Sequence, residues 1–125
     1  MNSNDFPLFI DPPEALSQVV ATEQLRLCLR NAAKFGKPTK EQEVFVYATE
    51  DRFCIEIGTF RHWFELEGNW SGCVSLNARL MLQCRGAISR KQRTQIKYDR
   101  GWLYLDTLGI GRAVWQPKYD PDWMI

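Results

Sequence analysis

The sequence predicts an α+β domain in which two helices pack on antiparallel sheet. Three observations lead there. A length of 125 residues with 45% hydrophobic content suits a single core. Two separate segments carry apolar residues at helical spacing, and the segments after each of them alternate with a period of two. One domain over 1–125 is expected, with residues 1–11 as an N-terminal arm and 117–125 as a C-terminal tail.

In "DPPEALSQVV", Asp11 is a candidate N-cap, Pro12 suits the first helical position, and Glu14 follows the Asp by three. A helix is therefore expected from near Pro12. Leu16, Val19 and Val20 form one stripe, and Leu25, Cys28, Leu29 and Ala32 form a second that is out of phase. A kink or restart near Thr22 reconciles them, and Gly36 and Pro38 close the helix. From Glu43 the pattern becomes an antiparallel meander of three short strands with one face covered, turning near Glu50-Asp51 and Gly58. Val44, Val46 and Ala48 alternate with Phe45 and Tyr47, and Phe53, Ile55 and Ile57 alternate with Cys54 and Glu56. "GCVSL" reads as a fourth strand, and "NARLMLQCRGAI" as a second helix with Leu80, Met81, Cys84 and Ala87 or Ile88 on its packed side. After polar "SRKQR", "TQIKYDRGWLYLDTLGIGRAVWQ" reads as a second meander, with "GIGR" as a hairpin turn.

The order of elements repeats. At an offset of 55, Leu25, Leu27, Arg30 and Ala32 fall on Leu80, Leu82, Arg85 and Ala87; at 48, Asp51-Arg52 fall on Asp99-Arg100. An internal duplication is the reading these matches suggest. With that order and apolar pattern, residues 12–116 resemble one domain of the DNA sliding clamp family, most closely at "GNWSGCVSLNARLMLQC". The resemblance implies duplicated strand-helix-three-strand units and a non-catalytic protein whose helices present basic side chains to DNA. Two departures stand out. Only "FPLFI" is available as the strand before the first helix, and Pro7 limits it to a short edge piece. A ring would also need several such domains and this chain supplies one, so either copies assemble into a ring or the fold serves another purpose.

Net charge is +1, which argues against strong undirected attraction to nucleic acid, but the charge is sorted by segment. Residues 1–78 hold seven Lys/Arg and eleven Asp/Glu, whereas residues 79–112 hold eight and two. Arg26, Arg30 and Lys34 recur every four residues opposite the apolar stripe of the first helix. Arg79 and Arg85 lie on the second helix, with Arg90, Lys91 and Arg93 just beyond it. These eight are the candidate contacts to double-stranded DNA, made to phosphate without regard to sequence.

A second reading needs no nucleic acid. Trp63 lies beside Arg61 and Glu65, opposite Phe60, His62, Phe64 and Leu66, while Trp102 and Tyr104 oppose Leu103 and Leu105. Aromatics beside arginine have the composition of interface hot spots, so Trp63, Trp102 and Tyr104 are candidates for a protein partner or a homo-oligomer. So are Trp123, Met124 and Ile125, which with Tyr119 make the tail apolar; docking of the tail on its own domain is the first expectation.

Other chemistry finds few residues to build on. Cys28, Cys54, Cys73 and Cys84 lack zinc spacing and sit in apolar stretches, as buried free thiols do. His62, the single histidine, lies on an apolar strand face, where a packing role is expected. Asp120 and Asp122 have no third ligand. No metal, no cofactor and no enzymatic activity are expected. The N-terminus has no signal-like or membrane-spanning run, so a cytoplasmic address without membrane contact is the default.

Overall fold

The computed structural model describes residues 15–36 and 39–119. Its elements are β1 (Leu16–Ala21), α1 (Thr22–Asn31) running into a π-helical turn (Ala32–Gly36), then β2 (Glu43–Ala48), β3 (Arg52–Ile57), β4 (Phe60–Glu65) and β5 (Cys73–Asn77). These are followed by α2 (Ala78–Gln83) with a 3-10 turn (Cys84–Gly86), β6 (Arg93–Asp99), β7 (Trp102–Leu105), β8 (Leu108–Ile110) and β9 (Val114–Gln116). Two helices and two antiparallel sheets make the α+β architecture expected from the sequence, and the first ten elements are two successive strand-helix-three-strand units.

The units are joined by exchange. One sheet has the order β1-β6-β7-β8 and the other β4-β3-β2-β5-β9, so each unit's first strand pairs with the other unit's meander. The exchange is in equivalent register: Ala21, which ends β1, faces Arg93 at the start of β6, and Asn77, which ends β5, faces Glu43 at the start of β2. Each helix is then tied across the same seam, Thr22 N donating to Gln92 O at 2.9 Å and Ala78 N to Gln42 O at 3.0 Å. The repeat is therefore real in pairing and register. The helix starts, Thr22 and Ala78, lie 56 positions apart and the meander starts, Glu43 and Arg93, 50, which is why no single sequence offset aligns the halves.

The largest correction concerns residues 16–21, which form a strand rather than a helix. Leu16, Gln18 and Val20 all point inward and are buried, so the true period is two. Gln18 hides it, because a glutamine reads as a solvent position. Its buried amide is satisfied: Nε2 donates to Glu65 O at 2.6 Å and Oε1 accepts from Glu67 N at 2.8 Å. The expected kink at Thr22 is where α1 begins, and the strand sought in "FPLFI" is β1 itself. The N-cap at Asp11, the start at Pro12 and "FPLFI" lie outside the described residues, as does Pro38.

The "GNWSG" stretch serves β1. Val19 N donates to Glu67 O and Asn69 N to Ser17 O, while the Asn69 side chain accepts from Ser17 N at 2.6 Å. Gly68 has φ of 154° and passes so close to the Ser17 carbonyl that a β-carbon would collide with it.

α1 buries Leu25, Cys28 and Leu29, with Ala32 just beyond its end, as their spacing requires. α2 is shorter than expected. Asn77 caps it, Oδ1 accepting from Leu80 N at 3.1 Å, and the buried residues are Ala78, Met81 and Leu82. Leu80 is 45% exposed, so the packed side is rotated from the expected one. Gly109 lies within β8, and the β7-β8 turn falls at Asp106-Thr107, so "GIGR" is not the hairpin turn. β9 leaves the second meander to pair with β5 in the other sheet. The main apolar core draws on both sheets and both helices.

Candidate functional site

The inward stripe of α1 fixes its rotation and leaves Glu23, Arg26, Leu27 and Arg30 on the opposite arc, at helical spacings of three and four. Arg85 approaches this arc from the turn after α2. Together with Gln24, these residues line an open groove of about 410 Å³. Around the start of α1, Thr22, Glu23, Arg26, Arg90, Lys91 and Gln92 border a second hollow of about 450 Å³. Arg26 belongs to both. Its Nη2 donates to Ile88 O at 2.6 Å, pinning α1 to the segment after α2.

Five of the eight candidate cations thus converge on one surface: Arg26, Arg30, Arg85, Arg90 and Lys91. Arg85 also donates to Leu82 O at 3.3 Å, at the end of its own helix, and Lys91 lies 3.9 Å from Asp106. The remaining three sit elsewhere. Arg93 is ion-paired with Glu67 and borders a different hollow, with Trp63 and Glu65. Lys34 extends from the π-helical turn with its ammonium 5.3 Å above the Phe35 ring. Arg79 is exposed on the first turn of α2 and borders neither groove. Glu23, the one acid in both grooves, was not singled out from the sequence, although its place one turn before Arg26 and Leu27 was readable.

The aromatic candidates separate onto two outer sheet faces. On the five-stranded sheet, Trp63 packs edge-on against Tyr47 at 6.2 Å, with the Arg52 guanidinium 5.8 Å from its ring. Tyr47, Cys54 and Cys73 are buried there beneath Phe45, Trp63 and Tyr119, so this sheet is covered on both faces rather than one. Tyr119 stacks on Phe45 at 4.8 Å and 17°, the self-docking expected of the tail's first aromatic. Trp123, Met124 and Ile125, with Asp120 and Asp122, lie outside the described residues.

Beneath Tyr119 sits Glu56, buried on β3. It accepts from Tyr47 Oη at 3.1 Å, from Arg61 Nε at 3.0 Å and from the Tyr119 hydroxyl. The sequence signal for it was a glutamate at a strand position flanked by isoleucines, opposite an arginine on β4. Burial, and secondarily the Glu56 charge, pushes the Cys73 thiol up to about 12; burial raises Cys54 to about 11. Burial also lifts the Tyr47 and Tyr119 phenols above their ordinary value of 10. These are proton-retaining, packed groups, unlike a reactive thiolate or an activated phenol.

On the four-stranded sheet, Trp102 is 47% exposed and stacks with Tyr104 at 6.4 Å and 25°. His62, on the inner face of β4, lies 4.7 Å from Phe64 and shares a 3.3 Å hydrogen bond with Gln24; burial lowers its pKa from 6.5. Among the described residues no helix is long and apolar enough to cross a membrane.

The chain matches no protein-family model and no curated protein sequence. Among solved structures, it is similar to a DNA polymerase sliding clamp from Caulobacter crescentus, at 14% identity and a TM-score of 0.47. The similarity covers 83% of this chain and 30% of the clamp chain, so the protein spans under a third of the clamp's length.

Proposed function

We propose that the chain is a non-catalytic, clamp-like protein whose helix face meets the phosphates of duplex DNA. One observation carries this reading: Arg26 and Arg30 of α1 and Arg85, more than fifty positions further along the chain, line one groove, with Arg90 and Lys91 continuing the surface. Guanidinium groups suit this task because their planar donors pair with phosphate oxygens in bidentate fashion. An arrangement of cations without a base-reading element favours contact that is independent of sequence. Arg26 serves mainly to hold the two units together, which leaves Arg30, Arg85, Arg90 and Lys91 to meet phosphate. Glu23, which lines both grooves, limits the attraction because its carboxylate repels phosphate.

The test is retention of the full chain on duplex DNA at low salt. Affinity is expected to fall with log salt at a slope of about 0.9 per phosphate contact. Arg30→Glu combined with Arg85→Glu and Arg90→Glu should abolish retention while preserving the fold, and Glu23→Gln should strengthen it. Salt-insensitive behaviour of the unaltered protein would overturn the proposal.

A further inference from the structure

The outer face of the four-stranded sheet is built differently from that of its counterpart. Trp102 rests on glycines: a β-carbon at Gly109 would lie 3.2 Å from its ring, and one at Gly111 3.3 Å. One face of the indole is therefore seated against backbone, and the side chain as a whole remains 47% exposed. Tyr104, two positions along β7, extends the surface with its ring tilted only 25° from the indole. Cations lie on the neighbouring strand and in the adjoining segments. Lys97 faces Tyr104 in register, its ammonium 5.9 Å from the ring. Arg100, in the turn entering β7, has a side chain 93% exposed, and Arg112 follows Gly111. Asp99, opposite Trp102, is the one acid among them and lies 3.7 Å from Arg100.

We propose that this face binds an unpaired nucleic-acid strand, with bases stacking on Trp102 and Tyr104 and phosphates meeting Lys97, Arg100 and Arg112. Stacking on an open aromatic plane tolerates any base, because every base has a π face, and flanking cations track the backbone. A protein hot spot is normally ringed by contacts that exclude water. Here the neighbouring outward positions of β6 are Arg93, Gln95, Lys97 and Asp99, all polar. The charge of the patch complements a polyanion, and near-parallel rings suit planar ligands. This site stands apart from the helix-face grooves, which share none of its residues.

The experiment is fluorescence anisotropy of a labelled ten-residue oligothymidine titrated with the full chain. The unaltered protein should bind it, and Trp102→Ala should weaken binding by about tenfold to a hundredfold. Trp102→Phe should stay within about threefold, and an abasic strand of the same length should bind as poorly as Trp102→Ala binds oligothymidine. Duplex binding should survive Trp102→Ala, while the charge-reversed helix-face variant should retain oligothymidine, so the two sites fail independently. Equal affinity for the abasic strand, no effect of Trp102→Ala, or no binding by the unaltered protein would overturn the proposal. A dimer in light scattering that Trp102→Ala dissociates would also overturn it, assigning the face to a second copy. Melting curves of both Trp102 variants separate lost binding from lost folding.

Discussion

Glu56 places a carboxylate in the middle of β3, where three donors converge on it: two phenols and a guanidinium. Glu56→Ala would remove the acceptor that these three donors share, so a loss of about 2–4 kcal/mol is expected in urea denaturation. Tyr119→Phe removes one donor and should cost about 1 kcal/mol. His62 supplies a pH dependence. Burial holds its folded pKa below 6.5, so on acidification the unfolded chain takes up the proton first. Its contribution to stability is complete above about pH 6.5 and is lost as pH falls toward the folded value. The drop in urea midpoint between pH 7.5 and 5.5 should therefore be smaller in His62→Gln. The thiols report on the core directly. Cys28, Cys54 and Cys73 are buried with raised pKa values, and Cys84 is only half-buried. A thiol reagent at pH 8 should label Cys84 first and the other three only on unfolding.

At the scale of elements, β1 depends on the stretch that follows β4. Glu67 N donates to the Gln18 side chain and Glu67 O accepts from Val19 N, while Asn69 bonds to Ser17 in both directions, and together they close the edge of β1. Gly68→Ala would push a methyl group into the Ser17 carbonyl at a backbone angle that L residues rarely adopt. A loss of about 2 kcal/mol or more is expected, read as a lower thermal midpoint. The same stretch explains why β1 carries a helix-like pattern in sequence. Leu16, Val19 and Val20 match a helical stripe only if Gln18 is counted as exposed, and it is buried because residues sixty-five to sixty-seven satisfy its amide. α2 shows a milder form of the problem: "LML" offers two registers, and packing chose Met81 with Leu82 over Leu80.

The whole molecule is held by the crossed donation of β1 and β5. Neither unit can complete a sheet alone, because the partner of its first strand belongs to the other unit. Residues 1–67 and 68–125, expressed separately, should each lack native circular dichroism, and mixing them should restore it. The same exchange brings α1 and the turn after α2 to one surface, which makes the cationic groove a property of the assembled pair. Arg93 illustrates the limit of reading charge along the chain: it is two positions from Lys91, yet the strand that begins there carries it to Glu67.

Local patterning determined much of this protein. The alternation of Val44 and Val46 with Tyr47, the α1 stripe of Leu25, Cys28 and Leu29, and the opposition of Trp102 to Leu103 are consequences of periods two and 3.6 acting on apolar side chains, and they hold in the fold. Tertiary structure decided what depends on partners distant in sequence: that Gln18 is interior, that Glu56 is surrounded by donors, that β9 changes sheets, and that Arg30 and Arg85 line one groove. The physical reason is the same in each case. A buried polar group or a gathered charge has its energy set by atoms some forty or more positions away or on a neighbouring strand, and no local period encodes where those atoms will be.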